Sequence, residues 1–432
     1  MMPQPERKSE SIQVPSDCTK DVRPAGKNRT GFREAFSAFS HRNYRIFFGG
    51  QVISLIGTWL QSTAEGWLVY ELSGSTVALG AIRLAHMLPF ALLALWGGIV
   101  ADRVSKRKIL LFTQSASMLL ALLLALLVFL GIIEVWHVAL IAIGLGITNA
   151  FDVPTRQAFV IELVGKKDLI NGIALNSSMF NLARVVGPAL AGVLIGIVGM
   201  AGCFLINGLS YIAVLFGYSI LRLPEHEKKI DHPRYFEAIR EAFVYIWNDK
   251  PIRSVMTLIS TFSLFGTSFV VLMPVFAKDI LKGDATSFGI LMAANGLGAL
   301  VGGLTLASKA RSFNRRTLIY SGLIACCILL ALFAISKSFW LSCAILVCSG
   351  FFMIIFFATA NTATQLRSPD KLRGRIMGFY ALSFLGTSSI GSLISGWLAK
   401  IYGAPTTILI SVSICLAVAL YVKTRQIPIP SE

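Results

Sequence analysis

Long apolar runs separated by short polar connections dominate this chain. About 20 consecutive apolar residues, at 1.5 Å of helical rise each, cross the hydrocarbon core of a bilayer. Twelve runs reach roughly that length, at about 46–70, 77–101, 109–131, 137–157, 173–198, 202–221, 254–278, 286–308, 317–337, 339–363, 376–399 and 404–422. The pattern predicts an all-α membrane protein with twelve transmembrane helices, numbered here as spans 1–12. The longest internal break, 222–253, divides them six and six. Its first part is charged. Then Tyr235, Phe236, Ile239, Phe243 and Ile246 recur at helical spacing, with Glu237, Arg240 and Glu241 between them. That predicts an amphipathic helix lying on the membrane face, most simply a linker. The domains expected are a basic tail over 1–44, a six-helix bundle over 45–222, a linker over 223–252, a second bundle over 253–424 and a short tail over 425–432.

The placement of charge orients these spans. Lysine and arginine in short connections mark the cytoplasmic side. The N-terminal tail carries Arg7, Lys8, Lys20, Arg23, Lys27, Arg29, Arg33, Arg42 and Arg45. Arg103, Lys106, Arg107 and Lys108 follow span 2; Arg156, Lys166 and Lys167 follow span 4. Lys309, Arg311, Arg315 and Arg316 follow span 8; Arg367, Lys371, Arg373 and Arg375 follow span 10. The opposite connections carry only Lys278, Lys282, Lys337 and Lys400. Both termini are therefore expected in the cytoplasm. The formal charge of +17 reads mainly as a topology signal, so no nucleic-acid partner is expected. Composition agrees, with 14% charged residues against about 25% in soluble domains. The polar start lacks the short apolar stretch of a cleavable signal. The seven cysteines form no CxxC pair and the histidines show no metal spacing, so neither a metal nor a cofactor is expected. No phosphate-binding GxxxxGK[ST] loop occurs, nor a Ser-His-Asp or paired-carboxylate arrangement. Direct ATP drive and enzymatic activity are not expected.

The halves align internally. Gly97 and Gly98, before a basic loop, match Gly302 and Gly303 before another, at an offset of 205. Gly187 and Gly192 match Gly391 and Gly396 at an offset of 204. Nearly equal offsets argue for a parallel duplication. In transporters built from such repeats, the ligand site lies near the midplane between the halves, and rocking alternates its access. The repeated glycines serve either static tight packing or gating; their recurrence at matching places favours gating.

Buried charge narrows the candidate site. An arginine near the bilayer centre costs about 3 kcal/mol even on the mildest scale, so Arg184 needs a reason. It lies about 16 Å into span 5. It either holds an anionic substrate or pairs with a span 4 carboxylate such as Asp152. Glu65 in span 1 and Arg83 in span 2 lie at matched depth on antiparallel neighbours, which invites an ion pair. Asp152 and Arg156 stand four apart on one face of span 4, and Asp152 can also reach Arg103, as a gate or as a plain end-of-helix pair. Between Asp284 and Asp370 there is no acid, and after Asp370 only Glu432. A proton-binding carboxylate within the membrane is therefore expected from the first half, with Glu65 and Asp152 as candidates. Asp102 follows span 2 amid Arg103 and Arg107, where it can accept from a neighbouring helix N-terminus or pair with an arginine, latching that side shut.

Here the chain resembles a known family. GGIVADRVSKRKIL, Gly97 to Leu110, resembles the loop signature of the major facilitator superfamily at Gly98, Ala101, Asp102, Arg103 and the bases beyond. It departs at Ser105, where the family usually has glycine, and the loop after span 8 keeps the bases without the acid. GTWLQS (57–62), GWLVYELSGS (66–75), NAFDVPTRQAFVIELV (149–164), NGIALNSSMFNLARVVGPALAG (171–192), CFLINGLSYIAVL (203–215) and RGRIMGFYAL (373–382) are similar to one bacterial branch, the transmembrane secretion effectors, which include enterobactin exporters. Gly187, Pro188 and Gly192 are similar to the antiporter motif of the superfamily's exporters. The resemblance implies the major facilitator fold and a monomeric, multi-pass inner-membrane secondary transporter. It implies export of a siderophore-like or amphipathic small molecule in exchange for protons. A general multidrug pump or an importer on the same fold is the alternative. The arginine that proton-linked drug exporters often carry in the middle of span 4 is absent here. Arg83 and Arg184 favour anionic cargo, while Trp59, Trp67, Phe180 and Tyr380 offer apolar contacts or simply pack.

Overall fold

The structure, a computed structural model, describes residues 37–165, 167–221, 235–309, 314–369 and 372–424. Most of the expected basic tail, the charged start of the linker, Lys166, Arg311, Asp370, Lys371 and Glu432 lie outside the described residues.

The described chain is helical. Helix α1 is Arg42–Ser73, α2 Thr76–Arg103, α3 Lys106–Phe129 and α4 Val135–Val164. Next comes one helical stretch, Leu169–Ile220, broken at Gly199. There φ is 69° and ψ 178°, a combination essentially confined to glycine, so the stretch divides into α5 (169–198) and α6 (200–220). Helix α7, Tyr235–Asn248, is the linker helix. Then come α8 (Lys250–Ile280), α9 (Ala285–Lys309), α10 (Arg315–Ile335), α11 (Phe339–Arg367), α12 (Arg373–Tyr402) and α13 (Ala404–Thr424). Helices α8 and α12 each contain one π turn, Phe276–Ile280 and Leu382–Gly386.

Local chemistry sets the boundaries. Gly74 ends α1 in the left-handed conformation at φ 58°, and Ser75 caps α2 by accepting from the Ala78 N–H. Asp249 caps α8 through the Ile252 N–H at 2.9 Å, with Pro251 in the first turn. Large apolar residues such as Phe112, Trp340 and Ile197 stay exposed, as on a surface that faces lipid. Among the described residues, ten helices are long and apolar enough to cross a membrane, counting the stretch through Gly199 once. Helix α1, at 32 residues, is not one of the ten; Gln51, Gln61, Glu65 and Glu71 dilute its apolar run.

The repeated glycines make repeated contacts. A Cβ on Gly97 would lie 2.0 Å from the Ala150 carbonyl oxygen of α4, and one on Gly302 would lie 2.6 Å from that of Phe351 of α11. Gly187 abuts α1 at Trp59 and Ile56, while Gly391 abuts α8 at Leu264. Gly192 meets α9 at Thr286 and Gly289, while Gly396 meets α2 at Thr76. Corresponding glycines thus pack corresponding helix pairs. Of the two span 5 glycines, only Gly192 faces the opposite half. Gly187 packs inside its own half, because the two lie more than one helical turn apart. Through Pro188 the helix continues; the break falls at Gly199.

The linker helix docks on the second half. Glu241 accepts from Arg375 of α12 at 3.3 Å, and Phe243 lies 6.0 Å from Phe379. Arg367, at the end of α11, donates to Asp249 at 3.0 Å.

Candidate functional site

Between the halves lies a cavity of about 180 Å³. Its two walls differ in chemistry. The first half contributes Glu65, Arg83, His86, Gln114, Asn149, Asp152, Arg156, Asn207 and Tyr211, with several hydroxyls and apolar residues. The second half contributes only Val270, Val271, Pro274, Phe288 and Met292.

Asp152 sits at the hub of the polar wall. One carboxylate oxygen accepts from Thr113 at 3.1 Å and Gln114 at 2.7 Å, both on α3. The other faces the Arg156 Nε at 3.5 Å. Arg156 donates onward to Gln51 at 3.0 Å, and Gln51 donates to the Tyr218 hydroxyl at 2.8 Å. Four helices, α1, α3, α4 and α6, are therefore joined through one buried charge pair. Such a network is strong only while every member is satisfied. One buried atom is not: the Gln114 Oε1 has no hydrogen-bond partner. It is an acceptor that a water or a cargo donor would satisfy.

The structure brings some of the expected residues together and separates others. Glu65 and Arg83 both line the cavity, but no ion pair within 4 Å joins them; each feels the other's charge across the space. The expected direct pair is thus opened into two facing charges. Asp152 does pair with Arg156, but on the cavity wall, and does not reach Arg103. Arg184 neither pairs with Asp152 nor lines the cavity. Its backbone carbonyl faces α9, where a Cβ on Gly296 would lie 2.9 Å from it. Close packing of α5 on α9 fixes that helix face, and Asp152 is already saturated by α3 and α4. Asp102 and Arg103 are exposed and make no hydrogen bond or ion pair with a described residue, while Gly98 faces open space. The expected latch is therefore unmade among the described residues. Arg107 instead donates to the carbonyls of Ser219 and Leu221 at the end of α6.

Several cavity-lining side chains escaped the sequence reading. His86 Nε2 lies 3.0 Å from the Asn149 amide nitrogen across α2 and α4. Asn207 donates to Gln61 at 2.6 Å across α6 and α1. A usable signal existed: uncharged amides inside apolar spans, which cost free energy unless paired or bound to ligand. Of the suggested aromatics, Trp59 lines the cavity and meets Phe180 edge-on at 5.6 Å, while Trp67 stacks on Phe288 at 5.9 Å. Tyr380 does not line the cavity and donates to the Phe357 carbonyl.

The hydrogen bonds between described residues of the two halves gather at the end away from the basic loops. There Tyr70 donates to Asp279, Thr76 donates to the Gly396 carbonyl at 2.7 Å, and Thr286 donates to that of Gly192 at 3.0 Å. That end is closed.

Relatives carry the same architecture. Residues 33–432 match the sequence profile of the transmembrane secretion effector family. A staphyloferrin A transporter of Staphylococcus aureus is 25% identical over 399 residues, 90% of this chain and 98% of its own length. A multidrug efflux pump of Mycolicibacterium fortuitum is 23% identical, over 82% of this chain and 88% of its own length. Among solved structures, a bacterial homologue of the human lysosomal transporter Spinster, inward-facing and unoccupied, covers 90% of this chain and 96% of its own. It superposes with a TM-score of 0.70 at 13% identity. The family profile covers nearly all of the chain, and the chain belongs to the transmembrane secretion effector family of major facilitator transporters, multi-pass proteins of the bacterial inner membrane rather than enzymes.

Proposed function

We propose that this protein exports an amphipathic, siderophore-like small molecule across the inner membrane by alternating access. The single observation that carries the reading is the two-faced cavity, polar and charged on one wall and apolar on the other. A molecule with hydrogen-bonding groups along one side and an apolar body on the other satisfies both walls at once. The similarity to a staphyloferrin A transporter supports the siderophore class. The mixed charges of the polar wall, Glu65 and Asp152 alongside Arg83 and Arg156, do not demand a purely anionic cargo.

The chain crosses the membrane twelve times in this reading. The stretch through Gly199 supplies two crossings, and α1 adds one to the apolar helices. The basic loops and both termini then face the cytoplasm, the two bundles and the linker keep the boundaries expected from the sequence, and the monomer is the working unit. With cross-half contacts at the far end and Asp102 unengaged, the conformation opens inward and is ready to load. Proton antiport is the energy source, with Glu65 and Asp152 as the carboxylates in reach of the cargo. Gly192 and its partner Gly289 allow α5 and α9 to slide during the cycle.

A broader multidrug efflux role is the second reading. The apolar wall favours it, as does the similarity to a multidrug efflux pump. One experiment separates the two. Cells with and without the gene are grown under iron limitation, and cell extracts and spent medium are compared by mass spectrometry. A single metabolite retained inside and lost outside supports the dedicated exporter. Unchanged metabolites with raised sensitivity to unrelated apolar drugs sink it in favour of the broad pump.

A further inference from the structure

We infer that Tyr70, Lys278 and Asp279 form the outer gate of the transport cycle. Tyr70 lies one turn before the end of α1, in the first half. Asp279 and Lys278 lie in the last turn of α8, in the second. The Tyr70 hydroxyl donates to the Asp279 carboxylate. The Lys278 ammonium lies 5.9 Å from the Tyr70 ring centre and 6.0 Å from that of Trp67, within range for cation–π attraction. Trp67 in turn stacks on Phe288 of α9, and Phe288 is part of the apolar cavity wall. The cluster thus forms a lid from the surface down to the cavity, built from both halves.

Lys278 and Asp279 lie inside a π turn of α8, Phe276–Ile280, closed by the Leu281 N–H on the Phe276 carbonyl at 2.9 Å. Lys282 then leaves the helix in the left-handed conformation at φ 55°, unusual for a side chain with a Cβ. Asp279 is also a carboxylate that the second half places at the end of a membrane helix, where the acid inventory pointed to the first half alone. Of the three cross-half hydrogen bonds at this end, only Tyr70–Asp279 is charged and made between two side chains. It is the contact that must break when the outer side opens.

The inference rests on the transport reading for its cavity and on the basic loops facing the cytoplasm for the word outer; it does not depend on the cargo. The test uses full-length protein carrying Met292→Cys, a cavity-wall thiol, in sealed vesicles of either orientation. A membrane-impermeant thiol reagent is applied from one face, and the labelled peptide is quantified by mass spectrometry. Asp279→Asn and Tyr70→Phe are expected to raise labelling from the outer face several-fold and to lower it from the inner face. Asp279→Glu keeps the parent pattern, as does Glu71→Gln, which removes a neighbouring acid without touching the gate. Unchanged outer labelling in both gate variants, with monodisperse protein, would overturn the inference. So would an equal rise from both faces, the mark of general loosening, or a rise confined to the basic-loop face. None of these outcomes bears on which molecule is carried, which the metabolite comparison decides separately.

Discussion

The two walls of the cavity come from halves that share helix contacts but not a chemistry. Corresponding glycines still pack corresponding helix pairs, Gly187 on α1 and Gly391 on α8, Gly192 on α9 and Gly396 on α2. Between those shared contacts, the first half has gathered a buried network around Asp152, and the second half offers Val270, Val271, Pro274, Phe288 and Met292. The helix-to-helix geometry tolerates little change, because an added Cβ at these glycines meets a backbone carbonyl and close-packed surfaces resist insertion. The cavity lining is free of that constraint, and it is where the two halves differ. In the proposed reading, recognition and charge handling fall to the first half, and the second acts as an apolar counter-surface.

The largest effect is expected where the polar wall has its hub. Asp152→Asn removes the counter-charge of buried Arg156 and weakens the bonds from Thr113 and Gln114. A hydrogen bond to a charged group is worth about 1.5–3 kcal/mol, so export is expected to fall about tenfold or more and the melting temperature to drop. A matched substitution on the apolar wall, such as Val271→Thr, leaves the network intact and is expected to be mild. Near-normal export by Asp152→Asn, measured as cargo efflux from preloaded cells, would break the assignment of recognition to the first half.

Glu65→Gln comes next and sharpens the comparison by separating binding from drive. It keeps the shape and hydrogen bonding of the cavity and deletes a proton acceptor that faces Arg83 without contacting it. Efflux driven by the proton gradient is expected to fall about tenfold, while cargo exchange at equal concentrations on both sides persists. Residual efflux in the variant should no longer respond to a protonophore. Equal loss of exchange and of driven efflux would reassign Glu65 to cargo binding.

How much of this was legible in the chain differs by level. The helical architecture, the bundle repeat and the linker helix come from long-period patterns that residue type alone sets: apolar runs, glycine offsets and the spacing after Tyr235. The charges were found as residues but not always as partners. Glu65 and Arg83 both line the cavity, yet no ion pair within 4 Å joins them, because depth fixes one coordinate and helix rotation the other. Arg184 looked like a site residue for its charge and depth, but the packing of its helix face on Gly296 takes it away from the cavity. Asp279 escaped notice because it sits at the very end of an apolar run, where a charge is ordinary. Its contact with Tyr70 joins residues 209 positions apart, which no local pattern in the sequence marks.

A smaller effect is expected from the apolar wall. Met292→Ala removes most of a side chain that lines the cavity without a polar partner. Burying such a chain against cargo contributes about 1.5–3 kcal/mol at most, and a partly exposed cavity realises a fraction of it. The concentration for half-maximal efflux should therefore rise a few-fold, with maximal rate and protonophore response unchanged. A changed protonophore response would show that the second half handles protons as well, and the division of labour between the walls would fail.

The smallest effect tests the same asymmetry far from the cavity. Asp168 precedes α5 and accepts from Ser37 at 2.6 Å and His41 at 2.9 Å, tying the turn before α1 to the start of α5. The corresponding residue 204 positions later is Leu372, before α12, which can make no such tie. Hydrogen bonds from Ser37 and His41 hold the Asp168 carboxyl below the usual carboxylate range. A carboxyl depressed on folding stabilises the folded state above its unfolded pKa, near 4, and that contribution is lost as pH falls through the lower folded value. The parent protein should therefore melt slightly higher than Asp168→Ala at neutral pH, and the gap should close as the medium is acidified to about pH 3. Leu372→Ala, which lacks an ionisable group, should change melting by the same amount at every pH. If the gap for Asp168→Ala stays constant down to that pH, the tie acts through shape alone, and the polar specialisation of the first half ends at its cavity.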